Sequence, residues 1–183
     1  VSTITVAVFV GSLRKESINR RLAKAIEKLA PSSLAFEPVE IGDLPLYTQE
    51  FDGSYPSQGQ RLKDQVKAAD ALLFVTPEYN RSIPGVLKNA IDIGSRPWGT
   101  NSFAGKRAAV IGASPGAIGS ALAQQHLRNV LSYLDVDTLP QPEVFVQFKE
   151  GLVEADGTIT SDGTRTFLQG FVDRFAAWVG ATR

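Results

Sequence analysis

The chain has 183 residues, 43% hydrophobic and 21% charged, with 19 basic and 19 acidic side chains and a formal net charge of zero. That length suits one globular domain spanning 1–183, and a neutral chain lacks the basic excess that nucleic acids and anionic membranes attract. With no cysteine, disulfides, zinc–thiolate centres, iron–sulfur clusters and thiol nucleophiles are excluded; no apolar run approaches the roughly 20 residues needed to cross a bilayer, and the whole reads as a cytoplasmic protein.

The near-continuous apolar run at 3–10 predicts a strand covered on both faces, as in a parallel sheet. Ile18, Leu22, Ala25, Ile26 and Leu29 recur at helical spacing, which predicts a helix over 17–30 with Ser17 as N-cap and Pro31 as its stop. A second strand is predicted over 34–41, and Pro38 places it at a sheet edge. Residues 42–59 read as a long irregular loop, 61–69 as a helix, and 71–76 as the third strand. A helix follows Pro84 and runs to about Ile93, and residues 95–106 are loop. The fourth strand is predicted over 107–113, with a helix over 118–134 after it. A fifth strand falls within 138–148, interrupted by Pro140 and Pro142. Residues 151–163 read as a loop or hairpin around Asp156-Gly157, and 164–179 as the last helix. Strand and helix alternating in this way predict an α/β, doubly wound parallel sheet of five strands with helices on both faces.

Three polar turns fall at strand C-terminal ends, where open parallel sheets bind ligands. The first, Gly11-Ser12-Leu13-Arg14-Lys15-Glu16-Ser17-Ile18-Asn19-Arg20, joins a strand to a helix N-terminus. Its exposed N–H groups and the helix dipole favour an anion. Two hydroxyls (Ser12, Ser17), an amide (Asn19) and a guanidinium (Arg14) suit the three oxygens of a phosphate. The second turn holds Pro77, Glu78, Tyr79 and Asn80. The third, Ser114-Pro115-Gly116-Ala117-Ile118-Gly119, follows the fourth strand. Neither G-x-G-x-x-G nor G-x-x-x-x-G-K-[ST] occurs, so the chain lacks the dinucleotide fingerprint and the P-loop.

Gly-Ser-Leu-Arg-x-x-Ser-x-Asn-Arg after the first strand and Pro-Glu-Tyr-Asn after the third together resemble the NAD(P)H-dependent FMN reductase family, which includes quinone, chromate and azo-dye reductases. The likeness continues through Ile83-Pro84-Gly85-Val86-Leu87-Lys88-Asn89-Ala90, the Arg96-Pro97 loop and Gly105-Lys106. The resemblance implies a flavodoxin-like fold with strand order 2-1-3-4-5 and a noncovalent FMN. It places the FMN phosphate at Ser12, Arg14, Ser17 and Asn19, and the ribityl and isoalloxazine along Pro77, Glu78, Tyr79 and Asn80, with Ser114 and Gly116 on the far side. It also implies a homodimer or homotetramer with FMN near the subunit interface.

The activity expected is hydride transfer from NAD(P)H through FMN to quinones or other small acceptors (chromate, azo dyes, free flavin) by a ping-pong scheme. The cofactor carries the chemistry, so no catalytic side chain is named. Arg96 and Trp98 are expected at the lip of the site, as a cation and an aromatic platform for donor or acceptor.

Two alternatives come from other classes. A flavodoxin-like electron carrier would hold the same cofactor but serve a protein partner, although flavodoxins are usually strongly acidic. Gly112-Ala113-Ser114-Pro115-Gly116 matches the G-x-S-x-G nucleophile elbow of serine hydrolases, with Ser114 as nucleophile. Pro115 has no N–H for the oxyanion, and the single histidine, His126, lies within the following helix.

Overall fold

A computed structural model describes residues 3–181. Four parallel strands, β1 (Ile4–Val10), β2 (Leu34–Pro38), β3 (Ala71–Val75) and β4 (Arg107–Ser114), lie in the order β2-β1-β3-β4, followed by β5 (Asp137–Thr138) and β6 (Val144–Gln147), which both pair with β4. The sheet thus has the expected 2-1-3-4-5 order with a sixth strand. Pro38 sits at the end of the edge strand, where its missing N–H breaks no ladder.

The apolar runs alternate between two cores. Val6, Val8, Leu73 and Val75 face α1 (Ile18–Leu29) and α5 (Asp162–Gly180). Ala7, Phe9, Leu72 and Phe74 face α2 (Ser57–Ala68), α3 (Gly85–Ser95) and α4 (Ala121–Tyr133). All five residues of β3 are buried, as a strand covered on both faces requires. Phe9 stacks on Phe74 with ring centroids 4.9 Å apart, which fixes the register of the two central strands where the candidate site is built.

The structure departs from the sequence-based expectation in several places, and β2 ends at Pro38 rather than at residue 41. The fifth strand is broken in two. β5 pairs with the start of β4 and β6 with its end, and Pro140 and Pro142 occupy the gap, where they have no N–H to give the ladder. Helix α2 begins at Ser57 rather than Arg61. Its first turn has no apolar face, but Gly59 packs so closely on Tyr55 that a Cβ there would lie 2.9 Å from the ring. The long loop before it contains a short 3-10 turn, Gln49–Gly53. Helix α4 begins at Ala121 rather than at residue 118, because Gly119 and Ser120 have positive φ and hold the chain in a turn.

Gly112 shows how tightly the C-terminal edge is packed. A Cβ at this position would lie 2.1 Å from the Thr76 carbonyl oxygen and 2.2 Å from Ser120 Oγ. Gly112→Ala is expected to destabilise the protein by about 3 kcal/mol, the upper end of the overpacking range, because one of the clashing atoms is backbone. Urea denaturation of the variant beside the wild type measures it. No helix among the described residues is long and apolar enough to cross a membrane.

Candidate active site

The loop between β1 and α1 ends in a helix capped by Ser17, whose hydroxyl accepts from the Arg20 N–H at 3.3 Å. The backbone N–H groups of residues 12–19 find no acceptor in normal hydrogen-bond geometry among the described residues. Those of Leu13 to Glu16 are open to water, and eight successive N–H groups without a protein acceptor at a helix N-terminus are donors that an anion can take. Ser12 and Ser17 are buried beneath them. Ser12 makes no hydrogen bond of its own among the described residues. Arg14 stands exposed at the rim and has no ion-pair or hydrogen-bond partner among them. A dianionic phosphate has here the N–H donors, two hydroxyls and one guanidinium that it needs.

Asn19 is placed differently from the expectation. Its side-chain Oδ1 accepts from the Ala113 N–H at 2.9 Å, and its Nδ2 donates to the Ala113 carbonyl at 3.0 Å. The ladder between β3 and β4 ends near Ile111, so β4 runs on past its neighbour with Ala113 unpaired on that side. The Asn19 amide supplies the donor and acceptor that a longer strand would have supplied. It ties the first turn to the third, and its backbone N–H is what it offers an anion.

The second and third turns are joined in the same way. Glu78 Oε2 accepts from the N–H groups of Leu122 and Ala123, at 3.0 and 3.2 Å, capping α4 with a negative charge at the positive end of its dipole. The Glu78 side chain is therefore a strut. What it and its neighbour Asn80 turn toward a ligand is backbone N–H, unpaired among the described residues in both cases. Tyr79 and Ser82 exchange two backbone hydrogen bonds around Asn80 and Arg81, whose φ values of 51° and 64° make a type I′ turn. Tyr79 projects half-exposed from that turn. The Ser114 hydroxyl donates to the Gly116 carbonyl at 3.1 Å, and the space above Gly116 is open except for that hydroxyl. Pro77, Glu78, Tyr79, Asn80, Ser114 and Gly116 thus lie together at the C-terminal edge of β3 and β4, next to the loop between β1 and α1. A cleft of about 450 Å³ between α1 and β2 shares Ser12, Leu13 and Arg20 with the first turn and has no residue of the second or third.

The structure does not bring Arg96 and Trp98 to this edge within one chain. Helix α3 starts at the C-terminal edge and runs back along the sheet for eleven residues, about 16 Å. Arg96 and Trp98 follow its far end. Their loop leads to Gly105, which bonds Asp135 just before β5, and to the start of β4. The Arg96 guanidinium lies 5.5 Å from the centre of the exposed Trp98 ring.

That loop rests on a residue to which the sequence drew no attention. Lys63, only 3% exposed on the inner face of α2, donates to the Arg96 carbonyl and to the Thr100 carbonyl and hydroxyl, the last two at 2.8 Å. Burial pushes its ammonium down to about 8, with Lys67 adding to the shift and Asp52 and Asp64 opposing it. The unfolded chain keeps that proton up to about pH 10.4. Folding therefore sheds it between about pH 8 and 10.4, and in this window the contribution of Lys63 to stability rises with pH. Lys63→Met removes the titration. Urea denaturation at pH 7 and pH 9.5 is expected to show the wild type gaining on the variant as pH rises.

The serine hydrolase reading is not supported. His126 Nδ1 lies 3.0 Å from Ser82 Oγ, while Ser114 is engaged with Gly116. No Ser114–His126 pair exists to activate a nucleophile.

A run of backbone donors that suits a phosphate, beside two tied turns at the edge of a doubly wound sheet, fits a protein of the flavin mononucleotide-binding class. The chain belongs to the NADPH-dependent FMN reductase family, whose model matches residues 4–151. It is an oxidoreductase with FMN as cofactor and NAD(P)H as electron donor. It is 52% identical over 176 residues to a 2-hydroxy-1,4-benzoquinone reductase of Burkholderia sp, covering 96% of each chain. It is also 52% identical over 180 residues to a quinone reductase of Pseudomonas putida, covering 98% of this chain and 96% of that one. The solved structure of FerB, a flavoenzyme NAD(P)H:(acceptor) oxidoreductase from Paracoccus denitrificans, matches with a TM-score of 0.93 and 50% identity, covering 97% of both chains.

Proposed function

We propose that this protein reduces quinones with NAD(P)H through a noncovalent FMN, by a ping-pong scheme in which donor and acceptor use one open face in turn. The observation that carries this reading is the run of unpaired N–H groups over 12–19, with Ser12, Ser17 and Arg14 around it. In it the phosphate rests on that run, with Asn19 contributing its N–H and holding the loop to β4. The ribityl and ring lie along Pro77, Glu78, Tyr79 and Asn80, with Ser114 and Gly116 opposite. When bound, FMN supplies two-electron hydride exchange between nicotinamide and acceptor.

The chain's own part is binding and electrostatics. The N–H groups of Glu78, Asn80 and Gly116, unpaired among the described residues, are fixed donors for the polar edge of the ring, where negative charge grows on reduction. Because Glu78 and Asn19 tie the three turns to one another, those donors need no reorganisation. No side chain acts as acid, base or nucleophile in this account.

Small hydroxylated benzoquinones are the acceptors favoured by the name of the Burkholderia relative. Chromate, azo dyes and free flavin are further acceptors, and the cytoplasm is the site of action. The working form is a homodimer or homotetramer. Tyr79 and Ile118, on the second and third turns, and Leu122, at the start of α4, are 49%, 41% and 39% exposed, an apolar surface suited to a second copy. Arg96 and Trp98, remote from the C-terminal edge in their own chain, serve as the lip of the site in that second copy. A spectrophotometric assay of NADPH oxidation with 1,4-benzoquinone tests the function. Turnover by FMN-loaded protein is expected; bound FMN without turnover would favour the electron carrier.

A further inference from the structure

We infer that Lys63 is a positioning residue for substrate: its amine sets the conformation of the 96–100 loop and so the placing of Arg96 and Trp98. The inference deepens the reading just given and rests on it in one respect, that this loop borders the site of a second copy.

The loop has no regular structure, and its two ends are fixed by backbone. The Arg96 N–H bonds the Ile93 carbonyl, and the Ser102 N–H bonds that of Gly94. Between them the chain folds on itself through Thr100, whose N–H and hydroxyl both reach the Pro97 carbonyl. Trp98 and Gly99 are exposed. Among the described residues, Lys63 is the one group outside the loop that hydrogen-bonds to residues 97–100. It also takes the Arg96 carbonyl, so one nitrogen gathers the start and the end of the loop.

Position 63 makes this arrangement informative. Its neighbours on the inner face of α2, Leu62 and Val66, are apolar and fully buried, and an aliphatic side chain at 63 would pack there without desolvating a charge. Burying an amine is unfavourable unless its protons are satisfied. Here three oxygens of one loop satisfy them, and the Tyr55 ring, 5.5 Å away, covers the nitrogen from the other side. The loop's shape and the buried amine therefore depend on each other. Where a cation and an aromatic ring must meet a ligand, small displacements of the backbone beneath them are costly, because positioned groups work only near their productive geometry. The effect belongs in substrate binding and not in the turnover of bound substrate.

The test uses full-length, FMN-loaded protein with two substitutions, Lys63→Met and the milder Thr100→Val. Amide hydrogen exchange over residues 94–103 reports the loop directly. At pH 7 it is expected to quicken at least tenfold in Lys63→Met and a few-fold in Thr100→Val, while peptides from β1 and β3 keep wild-type rates. Steady-state kinetics are expected to show KM for the quinone raised about tenfold in Lys63→Met, with kcat within about twofold, and Arg96→Ala is expected to give the same split. Unchanged exchange in the loop of both variants overturns the role of Lys63, whatever Arg96→Ala does. Faster exchange with an unchanged KM leaves Lys63 an anchor of the loop alone and overturns its role in placing substrate; if Arg96→Ala also leaves KM unchanged, the reading of Arg96 and Trp98 as the lip of the site falls with it. If Lys63→Met does not fold, Thr100→Val carries the same comparison.

Discussion

Asn19→Ala is expected to cost the protein about 2–4 kcal/mol and to weaken its hold on FMN at the same time. The side chain is 1% exposed, and both of its polar atoms bond the backbone of Ala113. Truncation leaves a buried N–H and a buried carbonyl on β4 without partners, at about 1–3 kcal/mol each. A water entering the space left by the amide would recover part of this. The phosphate loop would then be free of β4, and its eight N–H groups would have to be ordered by the ligand, so affinity falls with stability. Asn19→Asp is the informative companion: it keeps the acceptor for the Ala113 N–H but places a carboxylate oxygen against the Ala113 carbonyl. Urea denaturation of the FMN-free variants measures the effect. A loss below about 1 kcal/mol for Asn19→Ala would mean that the amide does not replace a ladder.

Arg14→Ala is expected to separate the two properties. The side chain is exposed and makes no ion pair or hydrogen bond among the described residues. The FMN-free protein should therefore keep its stability within about 0.5 kcal/mol, as surface substitutions usually do. FMN affinity should fall by about 1.5–3 kcal/mol, the range for a hydrogen bond to a charged group, or roughly 10- to 150-fold. Salt should narrow the difference between wild type and variant, since an exposed guanidinium is screened. Titration of apoprotein with FMN by flavin fluorescence gives the ratio. Unchanged affinity would remove Arg14 from the phosphate site.

The two variants show which parts of the molecule were legible in the sequence. The elements, the covering of both sheet faces and the loops that bear the site follow from apolar runs, helical spacing and turn chemistry, which are local, whereas the 2-1-3-4-5 order came with the family resemblance and not from any local pattern. The role of Ser17 as a cap is local too, since cap and helix are adjacent in the chain. Asn19 and Glu78 could be singled out as polar residues in special turns. Their partners, though, lie 94 and 44 residues away, and no spacing rule relates a side chain to the end of a distant strand or helix. Lys63 was missed for a related reason: on a helix rich in lysine and glutamine it reads as a solvated residue, and only the folded loop supplies the three oxygens that bury it. The break between β5 and β6 was half legible. The prolines marked an interruption, but that both pieces stay on β4 depends on the sheet and not on the segment. Arg96 and Trp98 were expected beside the flavin because their loop belongs to the motif. The length of α3 carries them away from the C-terminal edge to the side of α2, which ties their proposed role to a second copy of the chain.

The central claim is that the turn after β1 holds the phosphate of one FMN per chain. Titrating apoprotein with FMN and, in parallel, with riboflavin tests it most directly, because the two ligands differ only in the phosphate. The account predicts saturation at one FMN per chain, affinity for riboflavin lower by at least a hundredfold, and a bound flavin bleached by NADPH. Equal affinity for the two, or no binding of either, would contradict it.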